Sequence, residues 1–243
     1  MSAHDEAQLE MVHRLPEAEL VQRIPHVAGL VAGRSAIHVG FVDAGYQEMQ
    51  DKAGTWLHAH LDRSATRLIG IDLDEPGVAQ AVEAGYEAYV ADCRDPGAID
   101  ALGIEPAEIV VAGEVIEHLD DPGSFLEGLH GLVAPGGQLV LTTPNASGLL
   151  NGFAAMAGAE INHPDHVVLF SYRTLSNLMA RHGWEVVATA TFVPSVKEAP
   201  GSGLRQKVLG YAGRFVLWLE RTIGRLWAPF VADGLIVTAR STR

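Results

Sequence analysis

Short apolar runs alternate with helical stretches from residue 35 to residue 143, and this alternation constrains the fold more than any other feature of the chain. Ser35–Gly40, Arg67–Asp72, Ala88–Asp92, Ile109–Val111 and Gln138–Thr142 read as strands, short and rich in β-branched residues. Gly54–Leu61, Glu75–Ala84 and Pro96–Leu102 read as the helices between them. A further helix starts at Asp121-Pro122, with the acid at the N-cap and proline in the first helical position, and Gly136-Gly137 is expected to close it. Strands alternating with helices imply βαβ units, right-handed crossovers and a parallel sheet covered by helices on both faces.

Outside that stretch, residues 5–33 read as a helical cover that starts at Pro16-Glu17-Ala18-Glu19-Leu20 and is interrupted by Pro25. After Pro144-Asn145 comes a segment of small residues, 146–159. Ser171 is placed to cap a helix over Tyr172–Arg181, and Trp184–Val193 and Gly234–Arg240 read as the last two strands. The expected organisation is one domain over 1–243, with a helical cover at 1–34, a core at 35–193 and 234–243, and a helical insertion at 194–233.

Composition narrows the function. With 30 acidic against 17 basic residues the chain carries a net charge of -13, which argues against a nucleic-acid partner, since phosphate binding needs a basic surface. Cys93 is the only cysteine, so no internal disulfide can form, and a reducing, cytoplasmic setting is expected. The sequence shows no secretory leader, and no uncharged apolar run reaches the ~18 residues of a membrane span.

The insertion has its own character. Pro200–Gly203 reads as a flexible lead-in to a helix over 204–227, with Leu204, Val208, Tyr211, Phe215, Leu219, Ile223 and Leu226 on one side. Lys207, Arg214, Arg221 and Arg225 flank that stripe. Two readings compete: a stripe packed on the domain or on a homodimer partner, with arginines reaching out at its edge, or a helix lying on a membrane surface or over an amphiphilic substrate.

Chemistry concentrates at strand ends, where open α/β sheets bind their ligands. Asp72 and Asp92 close two strands, and acids so placed can accept ribose hydroxyls and an adenine amino group; singly each reads as a turn former, together they point to an adenosine-type ligand. The turn after the first core strand, His38-Val39-Gly40-Phe41-Val42-Asp43-Ala44-Gly45, lacks the G-x-G-x-x-G fingerprint, which disfavours a nicotinamide dehydrogenase. Glu114, Glu117 and His118 would share one face if their turn is helical. Two carboxylates with an imidazole can hold a divalent cation, or the imidazole can act as a base poised by an acid; the alternative is a solvated cap beside Asp120 and Asp121. His163 and His166, on either side of Pro164-Asp165, can reach the same cleft, whereas His58, His60, His130 and His182 read as structural or solvent-facing. Cys93 reads as a small buried residue.

Gly-Glu-Val-Ile-Glu-His-Leu at 113–119 and Leu-Val-Ala-Pro-Gly-Gly-Gln-Leu-Val-Leu-Thr-Thr-Pro-Asn at 132–145 resemble the class I S-adenosylmethionine-dependent methyltransferases, in the branch with the ubiquinone-biosynthesis O-methyltransferases. The resemblance covers roughly residues 35–193 and the final strand. It implies a Rossmann-like sheet, mostly parallel with an antiparallel last strand, S-adenosylmethionine as cofactor, and transfer to an oxygen of a small-molecule acceptor. Residue by residue it implies that Asp72, followed by Leu73, holds the ribose, that Asp92-Cys93 lies at the adenine, and that Gly113 and Glu114 lie near the methionine moiety. It also implies that Glu114, Glu117, His118 and His166 could hold a divalent metal such as Mg2+, with His118 or His166 as the base. One departure stands out. His38 occupies the place of the family's motif acid, and Phe41-Val42-Asp43 replaces its glycine run, leaving Gly40 and making Asp43 the candidate substitute. A softer resemblance, carried by that altered motif and Trp56-Leu57-His58, is to bacterial methyltransferases of glycan and natural-product assembly. The altered motif keeps open a non-catalytic, methyltransferase-like binding module, and N-transfer remains an alternative to O-transfer.

Overall fold

A computed structural model describes residues 14–42, 55–193 and 204–243, with side chains from residue 213 onward in the last of these. Asp43, Gly45, the first residues of the expected N-terminal helix and the lead-in Pro200–Gly203 lie outside the described residues.

Eight strands form one sheet: β1 (Glu19–Val21), β2 (Ser35–Val39), β3 (Arg67–Asp72), β4 (Ala88–Val90), β5 (Ala107–Gly113), β6 (Val133–Pro144), β7 (Trp184–Phe192) and β8 (Gly234–Ser241). Their spatial order is β1-β7-β8-β6-β5-β2-β3-β4. Strand β8 runs antiparallel to both of its neighbours and every other pairing is parallel. The helices among the described residues are α1 (Arg23–Val31), α2 (Leu57–Ser64), α3 (Glu75–Glu83), α4 (Pro96–Ala101), α5 (Pro122–Gly128), α6 (Leu149–Met156), α7 (Tyr172–Arg181) and α8 (Leu204–Leu226).

Side chains alternate across the pleat, so each central strand feeds two cores. Ile37, Val39, Val110, Ala112, Leu139 and Leu141 pack on one face with Phe125 and Leu126 of α5 and Leu175 and Met179 of α7. Ala36, Ile109, Val111 and Val140 pack on the other with Val27 and Val31 of α1 and Leu57 and Leu61 of α2. The caps behave as their chemistry dictates. Asp121 accepts from the Ser124 amide at 3.0 Å, and Ser171 and Thr174 form a reciprocal capping box.

Three sequence readings need correction. Residues 19–21 are not helical; they form β1, a parallel edge partner of β7 in which Glu19 pairs with Ala190. The helix begins only at Arg23, and Pro25 sits in its first turn, where the missing N–H breaks no internal bond. Gly136-Gly137 does not close a helix, because α5 ends at Gly128 and β6 is already under way at Val133. Gly136 has φ +78°, and the register against β5 shifts between Ala107 and Ile109, so the glycines carry an irregularity in the strand.

The stripe expected to bury α8 is also rotated. Val216, Leu217 and Glu220 face the domain, while Phe215 and Leu226 face outward. Glu220 is fully buried and its Oε1 accepts from the Leu150 amide at 2.9 Å, tying α8 to the start of α6. Burial, then the neighbouring Asp233, pushes the Glu220 carboxyl up to about 8, and burial raises Asp233 as well, so the pair shares a proton at neutral pH. Both folded-state values lie above the unfolded ones, so the unfolded chain binds fewer protons and stability falls as pH rises. We expect the thermal midpoint to drop between about pH 5 and pH 8 and the Glu220→Gln variant to flatten that slope; a wild-type profile rising through this window would refute the assignment.

Candidate functional site

The carboxyl ends of adjacent strands bring the sequence-selected residues into one row. In spatial order these are Gly113 on β5, Gly40 after β2, Asp72 on β3 and Asp92 beyond β4, and Thr142 of β6, which the sequence did not single out, adjoins Gly113. Gly40 is required twice over. Its φ is +67°, and a β-carbon there would collide with the Val115 side chain. Asp72 accepts from the amides of Val42 at 2.9 Å and Asp74 at 3.0 Å, which fixes the loops on both sides of it. Each Asp72 oxygen retains a second lone pair, the acceptor capacity that a vicinal diol needs. Leu73 beside it is 54% exposed. Asp92 is clamped by Arg94 at 2.7 Å, and the Arg94 hydrogen bonds hold its carboxyl below the usual carboxylate range. The Cys93 side chain does not line the row. It is buried in the core, and burial pushes its thiol up to about 12, so only its backbone could meet a ligand.

The place of the missing acid is filled by a histidine pair. His38 Nδ1 and His58 Nδ1 lie 3.2 Å apart, both rings buried. One ring must donate and the other accept, which excludes two imidazolium ions. Burial brings His58 down to about 3, and burial together with His58 and Arg23 brings His38 well below its ordinary value, so the pair is neutral. Phe41 stacks obliquely on His58 with centroids 4.5 Å apart and accepts from Trp56 Nε1 through its carbonyl at 3.0 Å. His58, read from sequence as structural or solvent-facing, is therefore part of the wall of the altered motif. The spacing of Trp56-Leu57-His58 gave no sign of which strand it would face.

Arg23 was missed altogether. Its Nε donates to Thr142 Oγ1 at 3.2 Å and lies 4.0 Å from Glu114 Oε1, while Thr142 Oγ1 donates to Glu114 at 2.8 Å. An ideal β-carbon on Gly113 would sit 3.0 Å from the guanidinium, so Arg23 reaches the mouth of β5. Nothing local marks this arginine, because its partners Glu114 and Thr142 lie far downstream in the chain. Glu114 itself has φ +59°, a left-handed conformation that costs roughly 1–2 kcal/mol for a residue with a side chain and turns its carboxylate toward Thr142.

The Glu114, Glu117 and His118 face expected from helical spacing does not form. A single 3-10 turn spans Ile116–His118, and Glu114 precedes it. Glu117 is fully buried and accepts from Thr143 Oγ1 at 3.1 Å. Burial and the nearby Glu114 push its carboxyl up to about 8, which favours its protonated form at neutral pH. Its backbone carbonyl accepts from Val167 and Val168, which draws the 163–168 segment against His118.

What gathers instead is a triad of imidazoles. Ring nitrogens of His118, His163 and His166 all lie within 4.8 Å of one another. His118 Nδ1 donates to the Asp165 carbonyl at 3.2 Å and His166 Nδ1 to Asn162 Oδ1 at 2.6 Å, leaving both Nε2 lone pairs free. Burial, then His118 and His163, lowers His166, which favours its neutral form. Among the described residues this is the one group of three or more metal-ligating side chains.

A mostly parallel sheet with acids, glycines and imidazoles along its carboxyl edge defines an α/β protein of the Rossmann-like class. Residues 52–189 match the family model described as a methyltransferase domain, and the chain belongs to that family. The match begins beyond both the strand that carries His38 and the turn at Gly40. The chain is 30% identical over 141 residues to a ubiquinone biosynthesis O-methyltransferase of Cupriavidus pinatubonensis, covering 56% of this chain and 51% of that one. It is 32% identical over 143 residues to a protein of the same name from Pseudomonas paraeruginosa, covering 58% and 56%. It thus spans about half the length of the curated relatives it matches. Among solved structures, a SAM-dependent methyltransferase from Archaeoglobus fulgidus aligns over 89% of this chain and 90% of that chain with a TM-score of 0.53 and 14% identity, a likeness of fold.

Proposed function

We propose that the chain transfers a methyl group from S-adenosylmethionine to a hydroxyl oxygen of a small-molecule acceptor. The carrying observation is the row of Asp92, Asp72, Gly40 and Gly113 on adjacent strand ends, with Arg23 and Glu114 at its methionine end. In this reading Asp72 accepts from the ribose hydroxyls, Asp92-Cys93 borders the adenine, Arg23 neutralises the methionine carboxylate and Glu114 takes its ammonium. The neutral His38–His58 pair and Phe41 wall the site without holding a charge. The bound cofactor supplies an electrophilic methyl group and a thioether leaving group. The chain's own task is positioning and removal of the acceptor proton, which a free Nε2 of His118 or His166 accepts.

The donor set bears on which metal fits. Two free imidazole nitrogens with a third imidazole beside them suit zinc and similar borderline ions better than oxygen-seeking Mg2+. Zinc there would acidify an acceptor hydroxyl. The loss of the motif acid at His38 favours a second reading, a binding module without turnover. The names of the curated relatives favour O-transfer over N-transfer.

One calorimetric series, run beside a methyl-transfer assay with phenolic and sugar acceptors, tests this. S-adenosylhomocysteine should bind the wild type, and zinc should bind the wild type but not His166→Ala. No heat with millimolar S-adenosylhomocysteine would sink the cofactor reading. Cofactor binding without transfer to any acceptor would move the conclusion to the binding module.

A further inference from the structure

Helix α8 turns aromatic and cationic side chains away from the domain. Phe215 and Trp218 are each 57% exposed and stack with ring centroids 5.8 Å apart. Leu226 and Trp227, at the end of the helix, are 73% and 77% exposed. Arg214, Arg221 and Arg225 are exposed along the adjoining row, and Lys207 precedes them at heptad spacing. The opposite side of the helix, with Val216, Leu217 and Glu220, is the side that packs on the domain. The sole acid between Leu204 and Trp227 is the buried Glu220, so the outward face carries basic charge and no acid.

We propose that this face docks on an anionic phospholipid bilayer, with α8 lying in the interface plane. Three observations select that occupant. Exposed tryptophan and phenylalanine beside a row of arginines is the composition of an interfacial helix, its rings at the headgroup level and its cations on lipid phosphates. The basic face belongs to a chain of net charge -13, so an anionic surface attracts α8 while repelling the acidic remainder, which fixes one orientation. A second copy is disfavoured, because a two-fold contact through this face would set the arginine rows against each other. No helix among the described residues is long and apolar enough to cross a membrane, which leaves docking in the plane as the mode open to α8. Lying there would bring the methyltransferase domain to acceptors carried in the lipid phase.

Flotation of the full chain with phosphatidylcholine vesicles, with and without phosphatidylglycerol, tests the proposal. The wild type should float with the anionic vesicles, lose binding as salt is raised, and show blue-shifted tryptophan emission. Arg221→Gln with Arg225→Gln should lower the partition coefficient by roughly thirtyfold. Phe215→Ser with Trp218→Ser and Trp227→Ser should abolish the blue shift while the circular dichroism melt stays unchanged. The proposal is overturned if the wild type stays in the dense fraction, if either variant floats as the wild type does, or if sedimentation without vesicles shows a dimer that the aromatic substitutions dissociate.

Discussion

Asp72→Ala is expected to weaken S-adenosylhomocysteine binding by about two to four orders of magnitude, the larger of two effects we single out. In the proposed site this carboxylate accepts two ribose hydroxyls, and hydrogen bonds to a charged acceptor contribute about 1.5–3 kcal/mol each. The same side chain accepts from the amides of Val42 and Asp74, so alanine also releases the loop that follows β2 and leaves those donors to water. Asp72→Asn is the milder change. The amide retains one carbonyl acceptor at closely similar shape but loses the charge and one acceptor position. It should therefore bind with intermediate affinity and, because one of the two amide contacts is lost to a donor facing a donor, melt between the wild type and the alanine variant. Calorimetry of the three proteins at one pH gives the comparison, and equal affinities for wild type and Asp72→Ala would remove Asp72 from the cofactor site.

The second large effect is on stability. Trp184 opens β7, is 1% exposed, donates from Nε1 to the Leu126 carbonyl at 2.8 Å and stacks on His130 with centroids 4.1 Å apart. It locks α5 against the sheet by a polar and an apolar contact together. Trp184→Ala should cost about 3–5 kcal/mol, the range for emptying a large aromatic site, and lower the melting midpoint by roughly 10 °C in a chain of this size. Trp184→Phe keeps much of the volume but strands the Leu126 carbonyl, so it should cost about 1–3 kcal/mol. Urea titration of both variants checks the order; an alanine variant as stable as the wild type would show that the site collapses without penalty.

The sequence was legible wherever local physics decided the outcome. Strand β3 ends at Asp72 as read, α5 starts behind the Asp121 cap, and Ser171 caps α7, because period, β-branching and capping are properties of neighbours in the chain. The row of strand-end residues followed from topology rules alone. Failures came where distant contacts overrode local preference. Glu19–Val21 is three residues long, and only pairing with Ala190–Phe192 makes it a strand. Glu117 lies in the expected turn, yet it is fully buried against Thr143 and apart from the group of three imidazoles around His118. His163 and His166 do reach the cleft of His118, as the sequence allowed, but the backbone carbonyl of Glu117 that draws their loop inward has no sequence signature. The apolar stripe of α8 correctly foretold a helix but not which side of it would meet the domain.

The antiparallel β8 has a consequence for how the chain comes to be made. It fills the slot between β6 and β7, and it is the last strand to be synthesised. Until Gly234–Ser241 arrives, β6 and β7 have no partner in each other, and β7 has only the three residues of β1 along one flank. Between the synthesis of β7 and that of β8 the growing chain therefore carries two sheet fragments with open edges, the condition under which strands find wrong neighbours. Closure comes as one zipper of eight residues, and a chain that stops short of it is an aggregation hazard in place of a weakened fold.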